Sequence, residues 1–270
     1  MNLFVYILIL SVVQGITEFL PVSSTGHMIL VDQFINPQNV SKNFKDAFLV
    51  IVQFGSILSV LVYFWKDINP LVKDKKIMKE KFTLWTKILV GILPAGIIGI
   101  LIDDYITEYF YENSLIIALM LIVYGIAFLF TTKLSERKKT TNSLGEITYK
   151  TALLVGFFQC LAMIPGTSRS GATIIGGLLL GMNKSVIAEF SFFLAIPTMF
   201  GATLLKLIKN GVAFESGEWT LMIFGTIMAF LVSLASIKWL MAYIKKKDFK
   251  VFGIYRIIVG IIVILALNVF

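Results

Sequence analysis

Apolar runs of about 15 to 25 residues recur along the chain, and no other feature limits its folding as much. A bilayer core of about 30 Å takes about 20 helical residues to cross. Six segments approach that length: roughly 48–65, 88–102, 114–132, 186–208, 220–244 and 251–270. The second is short and needs an added turn at one end. With 57% of 270 residues hydrophobic and only 15% charged, a soluble domain could not hide this surface. The fold class predicted is an all-α polytopic membrane protein.

Two more regions, 2–35 and 151–182, are apolar but interrupted by Pro, Ser, Thr and Gly. Each reads as two half-helices joined by a polar break. Within a membrane, such a break survives only where protein or a water-filled cavity surrounds it. The expected architecture is therefore six transmembrane helices plus two re-entrant helical hairpins.

Loop charge sets the orientation. The net charge of +8 would suggest nucleic acid in a soluble protein, but here the basic residues sit in connections, so membrane lipid and not nucleic acid is the expected partner. Seven Lys lie in 66–87, five basic residues in 133–150 (Arg137, Lys138 and Lys139 among them) and four Lys in 245–250. The 103–113 connection carries Asp103, Asp104, Glu108 and Glu112 and no base, and Lys209 is the only base in 209–219. The positive-inside rule places the three basic connections in the cytoplasm. Both termini then lie outside, and the hairpins dip in from opposite sides.

That topology makes the single membrane domain, 1–270, two inverted halves, 1–132 and 151–270. A weak echo supports it: Pro21-Val22-Ser23-Ser24-Thr25 resembles Pro165-Gly166-Thr167-Ser168-Arg169, with Gln14 seven residues before the first Pro and Gln159 six before the second. Inverted repeats with broken helices place their site where the breaks meet. Met1 to Val13 carry no Lys or Arg, unlike the basic start of a cleaved signal peptide. Cys160 is the only cysteine, which excludes an intrachain disulfide and a cysteine metal site.

The first break runs from Gln14 through Glu18 to Pro21-Val22-Ser23-Ser24-Thr25-Gly26-His27. Glu18 lies in an apolar run, where an ionisable group is costly and marks a functional site. Gln14 and Glu18, four apart, share a helix face and could hold a divalent cation. Pairing of Glu18 with Arg169 is the plainer reading, and the two are compatible. His27, the only histidine, follows Ser24 by three residues, a spacing that suits a hydroxyl nucleophile beside a base. A purely structural histidine stays open.

In the second break, Pro165-Gly166 stops one half-helix and Thr167 or Ser168 starts the next. Free N–H groups at a helix start, the Arg169 fork and the hydroxyls of Thr167, Ser168, Ser170 and Thr173 form an anion site. Ser23 and Thr25 count with these substrate-binding donors. Capping plus an Arg169 contact to lipid headgroups is the alternative. The order is not that of a Walker loop. Gly177 and Gly181 suit helix packing. Glu189 and Gln53 could support the site from behind, and Asp103 and Asp104 are expected to be exposed.

The segments QGITEFLPVSSTGH and PGTSRSGAT resemble the paired signatures of bacterial undecaprenyl-pyrophosphate phosphatases linked to bacitracin resistance, in the expected order, and the likeness extends over the whole chain. It implies hydrolysis of undecaprenyl pyrophosphate to undecaprenyl phosphate and inorganic phosphate. It also implies a divalent metal, Mg or Ca, a site opening on the outer side of the plasma membrane, and a homodimer. By position, Glu18 is the essential acid, Ser24 and His27 the catalytic pair, Arg169 the phosphate-binding arginine, and Ser168 and Thr173 supporting hydroxyls. Gln14 stands where some members have Glu. Ser24, His27 and water all remain open as the nucleophile. A transporter or flippase for a polyprenyl phosphate is the rival reading, since it would use the same architecture and anion site.

Overall fold

A computed structural model describes residues 2–35, 42–110, 113–136, 139–210 and 216–267. In chain order the helices are α1 (Leu3–Thr17), α2 (Ser24–Ile35), α3 (Lys42–Tyr63), α4 (Trp65–Ile68), α5 (Lys75–Phe110), α6 (Ser114–Leu129), α7 (Thr131–Glu136), α8 (Tyr149–Cys160), α9 (Arg169–Leu179), α10 (Lys184–Asn210), α11 (Ser216–Lys246) and α12 (Lys250–Leu267). No strand occurs among the described residues; a single bridge joins Thr141 and Met182.

Six stretches are long and apolar enough to cross a membrane: in α3, in α5, through α6 and α7, and in α10, α11 and α12. They coincide with the six expected segments. Between them, α1 with α2 and α8 with α9 form two pairs of 11 to 15 residues per helix, each too short to cross alone. Asp32 of α2 accepts from the Tyr6 hydroxyl of α1 at 2.5 Å and pairs with Lys45 of α3 at 3.4 Å, which ties the first pair to its neighbour.

The second span differs from its expected bounds. Its helix begins at Lys75, so the basic connection is helical from there on. That stretch carries Lys75, Lys76, Met78, Lys79, Glu80, Lys81 and Leu84, good helix formers, and the Asp74 carboxylate caps it by accepting from the N–H groups of Lys76 and Ile77. Charge hides such a helix from a reading based on apolar length. The side chains of Asp103 and Asp104 lie outside the described ones, as do Glu112, Arg137 and Lys138.

Large apolar side chains face outward at helical spacing: Leu93, Ile97 and Ile100 on α5, and Ile254, Ile258 and Ile262 on α12. In water these stripes would drive aggregation; against lipid they are the expected surface. In α10, 67% of the spanning window is buried, against 22% to 47% in the others, so α10 is the central post. Phe190, Phe192, Phe193 and Leu194 of α10 are fully buried in a core shared with Phe19, Phe64 and Ile174.

Lipid tails are as apolar as leucine, so close packing must hold these helices together. Glycines provide it. Gly125 of α6 and Gly253 of α12 face each other so closely that a Cβ on Gly253 would lie 2.6 Å from the Gly125 carbonyl oxygen. Gly15 brings α1 onto α11, and Gly91 with Gly156 brings α8 onto α5. Gly177 packs on Ile187 of α10, as expected. Gly181 does not pack helices: α9 has ended, and its φ of +83° makes the turn whose carbonyl accepts from the Thr140 N–H. Gly253→Leu should lower stability by about 1–3 kcal/mol, whereas Gly217→Ala, at an exposed open position, should change it by less than about 1 kcal/mol. Thermal unfolding in detergent reads both; equal midpoints would remove close approach as the force joining α6 and α12.

Candidate active site

Each break turns on one serine. Ser23 precedes α2 and Ser168 precedes α9, and both have φ +77°, the only non-glycine positive values among the described residues. An L-residue there costs about 1–2 kcal/mol. Each serine returns part of this as a helix cap: Ser168 Oγ accepts from the Gly171 N–H at 3.1 Å, and Ser23 Oγ from the Gly26 N–H at 3.4 Å. Two helix N-termini therefore begin beside one cavity of about 580 Å³, whose wall includes Glu18, Ser23, Ser24, Thr25, Ser168 and Arg169. Such termini attract anions.

Glu18 is the hub. It caps the end of α1 and is 6% exposed. Its Oε2 accepts from the Ser24 hydroxyl at 2.7 Å and from Gln14 Nε2 at 3.0 Å, while Oε1 accepts from Arg169 Nη2 at 3.1 Å. The last contact joins residues 151 apart in sequence and links the two breaks directly. Arg169 Nη1 donates to the Ser191 carbonyl of α10 at 2.7 Å, which aims the guanidinium.

The expected site residues divide into three groups. Glu18, Ser23, Ser24, Thr25, Ser168 and Arg169 meet at the cavity. Ser170 and Thr173 stand behind it: Ser170 Oγ lies 3.2 Å from Ser168 Oγ, and Thr173 Oγ1 bonds the Arg169 carbonyl and lies 2.7 Å from Ser191 Oγ. They brace the start of α9. Gln53 lines the cavity and Glu189 does not.

His27 is not in the cavity wall, and no hydrogen bond joins it to Ser24. Its Nδ1 lies 2.8 Å from the Ser23 carbonyl oxygen, which can only accept, so Nδ1 carries the proton. Its Nε2 then accepts from the Tyr255 hydroxyl at 2.9 Å. A helical side chain leans toward its own N-terminus, which carries this ring to the carbonyl four residues back. In this state His27 holds the strained serine.

Gln14 presents Nε2 to Glu18 and, at 3.3 Å, to Ser56 Oγ, which already accepts from Ser233. Its Oε1 is left buried without a partner. Gln159 matches it: Nε2 donates to Thr198 and the buried Oε1 is unpartnered. Gln14 lies nine residues before Ser23, and Gln159 nine before Ser168. The two breaks therefore correspond through these serines, one residue off the alignment of Pro21 with Pro165.

The residue missing from the sequence reading is Arg256, in α12 and 0% exposed. It donates to five carbonyls: Pro21 of the first break at 3.0 Å, Gly166 and Thr167 of the second at 2.6 and 2.9 Å, and Met120 and Leu121 of α6 at 3.4 Å each. Gly166, with φ +91°, is pressed against Ile117, where no side chain fits. A lone charge in an otherwise apolar span was the available signal. Arg256→Met would orphan those carbonyls and should cost at least about 3 kcal/mol, while Arg256→Lys, with three donors, should recover part of it. Thermal unfolding of the two variants checks this; a methionine variant as stable as the parent would refute the clamp.

The chain matches the family described as bacitracin resistance protein BacA over residues 7–262. An undecaprenyl-diphosphatase of Fusobacterium nucleatum subsp. nucleatum is 57% identical over 264 residues, covering 97% of this chain and 99% of that protein. Undecaprenyl-diphosphatase 1 of Clostridioides difficile is 55% identical, covering 95% and 93%, and an undecaprenyl-diphosphatase of Enterococcus faecalis is 51% identical, covering 96% and 95%. With both breaks, all of α2 through α11 and most of α1 and α12 inside the match, this chain belongs to the bacitracin resistance protein BacA family.

Proposed function

We propose that the chain is an undecaprenyl-diphosphatase, a membrane hydrolase that converts undecaprenyl pyrophosphate to undecaprenyl phosphate and inorganic phosphate and thereby confers bacitracin resistance. The contact of Arg169 with Glu18 carries this reading, because it gathers both breaks at the polar end of the cavity. Apart from Gln53, Gln159 and Thr198, the remaining wall is apolar, with Ile92 and Ile100 of α5, Met163, and Leu204, Leu205 and Ile208 of α10. A diphosphate on a prenyl chain has the same division into polar head and apolar tail.

The chemistry follows from where the protons point. Phosphate oxygens compete with Glu18 for the Arg169 fork, and the N–H groups at the starts of α2 and α9 supply further donors. The Ser24 hydroxyl already directs its proton at Glu18 Oε2. Ser24 Oγ forms a bond to the terminal phosphorus, the bond from that phosphorus to the bridging oxygen breaks, and undecaprenyl phosphate leaves. Glu18 takes the serine proton. Water then attacks the phosphoserine, inorganic phosphate departs and the hydroxyl is restored. His27 fixes the turn that presents Ser24. For His27 to act as the nucleophile or as a base toward water, it must first release Ser23 and Tyr255.

A divalent metal fits this donor set as a shared ligand. Glu18 is the one carboxylate at the cavity, and no cluster of three or more His, Cys, Asp or Glu occurs among the described residues. Gln14 turns its Nε2 toward Glu18 and would join the set only with its amide turned over; with its oxygen and the Ser24 hydroxyl the set would offer one charge and two neutral oxygens. That favours Mg²⁺, which keeps waters and substrate phosphates around it, over Ca²⁺, which takes 6–8 oxygens. A metal held there by Glu18 would supply positive charge toward the transferring phosphoryl group.

The same proposal includes the topology. The α1–α2 and α8–α9 pairs are re-entrant hairpins, and the halves 1–132 and 151–270 are inverted repeats. Matched packing supports it: α1 lies on α11 as α8 lies on α5, and α6 pairs with α12. Both termini and the site opening face outward.

In phosphate release from a short prenyl pyrophosphate with Mg²⁺, Arg169→Ala and Glu18→Ala should each lose at least about 10²–10³-fold while remaining folded. Gln14→Glu should stay active. Acid quenching with labelled substrate should trap phosphate on Ser24; label on His27 would remove Ser24 from the nucleophile role. For topology, Leu71→Cys in a Cys160→Ser background should react with an impermeant maleimide only in opened cells, and labelling of intact cells would reverse the orientation.

A further inference from the structure

A second cavity, of about 690 Å³, lies where α7, α10, α11 and α12 end or begin, away from the breaks. Lys139, Lys184, Lys246, Lys247 and Lys250 line it, against two carboxylates, Glu136 and Asp248. Asp248 is turned inward: its carboxylate accepts from the Thr132 hydroxyl at 2.6 Å and from the Lys250 N–H at 3.0 Å, capping α12. Burial works against its ionisation, but these bonds and the charges of Lys184 and Lys250 outweigh it and hold its pKa below the usual range. Lys184 Nζ donates to the Lys247 carbonyl at 2.7 Å, which leaves two of its three donors for another acceptor. In the same wall the Ser135 hydroxyl is buried with no hydrogen-bond partner. An excess of ammonium groups around an unpartnered hydroxyl calls for an anion with several acceptor oxygens.

One side of the cavity is apolar. Val251 and Ile254 of α12 line it and are 47% and 45% exposed. Tyr243, also in the wall, stacks on the exposed Trp239 with ring centroids 5.2 Å apart. Trp and Tyr settle at the headgroup level of a bilayer. The lysines thus stand at the membrane boundary, with an apolar flank leading into the hydrocarbon. A free phosphate ion would use the lysines and leave this flank without a role; a lipid uses both.

We propose that this cavity binds the phosphate of an anionic phospholipid headgroup, held by Lys184, Lys246, Lys247, Lys250 and Ser135, with the acyl chains lying along Val251 and Ile254. The site is separate from the hydrolytic centre and shares no residue with it. Lipid held there bridges α7, α10, α11 and α12, and α7 packs on α9, the helix that begins at Arg169.

Native mass spectrometry of the full-length protein, titrated with phosphatidylglycerol or phosphatidylcholine of identical chains, tests this. Arg169→Ala is carried throughout, so that the hydrolytic centre lacks its phosphate anchor. Phosphatidylglycerol should bind at least about tenfold more tightly than phosphatidylcholine. The triple variant Lys246→Gln/Lys247→Gln/Lys250→Gln, at three exposed positions, should lose that preference, while Lys245→Gln, outside the cavity, should keep it. Millimolar inorganic phosphate should leave the preference intact. Equal binding of the two lipids, a preference that survives the triple substitution, or its removal by inorganic phosphate would each overturn the proposal.

Discussion

Arg256 solves the problem that two broken helices create. Each break releases backbone carbonyls at buried residues, Pro21, Gly166 and Thr167, and an unmet buried polar group costs several kcal/mol. One guanidinium, fully enclosed, accepts that burden at both breaks and adds two carbonyls of α6. No carboxylate pairs with it among the described residues. Carbonyl dipoles and the faces of Tyr124 and Phe128, 5.6 and 6.0 Å away, supply the negative potential instead. One side chain therefore ties the two breaks together, beside the turns made by Ser23 and Ser168.

The electrostatics of the centre follow as well. With Arg256 committed to backbone, Arg169 is the one cation that lines the cavity among the described residues, and Glu18 holds it. The pair is close to neutral, so burial is tolerable before substrate arrives. A diphosphate changes that balance, since it brings more negative charge than one carboxylate and a geometry that suits a guanidinium fork. The Ser24 hydroxyl sits on the other oxygen of the same carboxylate. In the proposed mechanism, drawing Arg169 onto the diphosphate frees the carboxylate that the Ser24 hydroxyl already faces, which would couple substrate binding to the serine through one side chain.

How much of this the sequence disclosed depended on whether a local signal existed. The six spans were legible because apolar length is directly readable, and the Gln14–Glu18 face because a spacing of four fixes it. The approach of Arg169 to Glu18 was legible from the cost of two opposite charges in one membrane. Arg256 escaped because a single charge among many aliphatic residues barely alters the average of its span, and its partners are carbonyls, which any sequence would provide. The hydrogen-bond partners of His27 were not legible from its spacing to Ser24: neighbours on a helix need not face each other, and Nδ1 meets the Ser23 carbonyl instead. The register of the breaks slipped because prolines were matched, whereas the backbone turns at serines.

In the serine register the two breaks are alike in frame and unlike in chemistry. Five residues before the turning serine, the first has Glu18 and the second Met163; one residue after it, the first has Ser24 and the second Arg169. Identical breaks would not serve. Two carboxylates meeting at the cavity would repel until one took up a proton, and two guanidiniums would have no counter-ion before substrate bound. Giving the acid and hydroxyl to one break and the cation to the other allows the backbone frame to repeat while the charges complement one another. The glutamines, which carry no charge, could stay the same in both: Gln14 and Gln159 keep equal places, each with one buried oxygen unmet. What the two breaks share is the geometry of the turn, and what differs between them is the charge of the groups the turn presents.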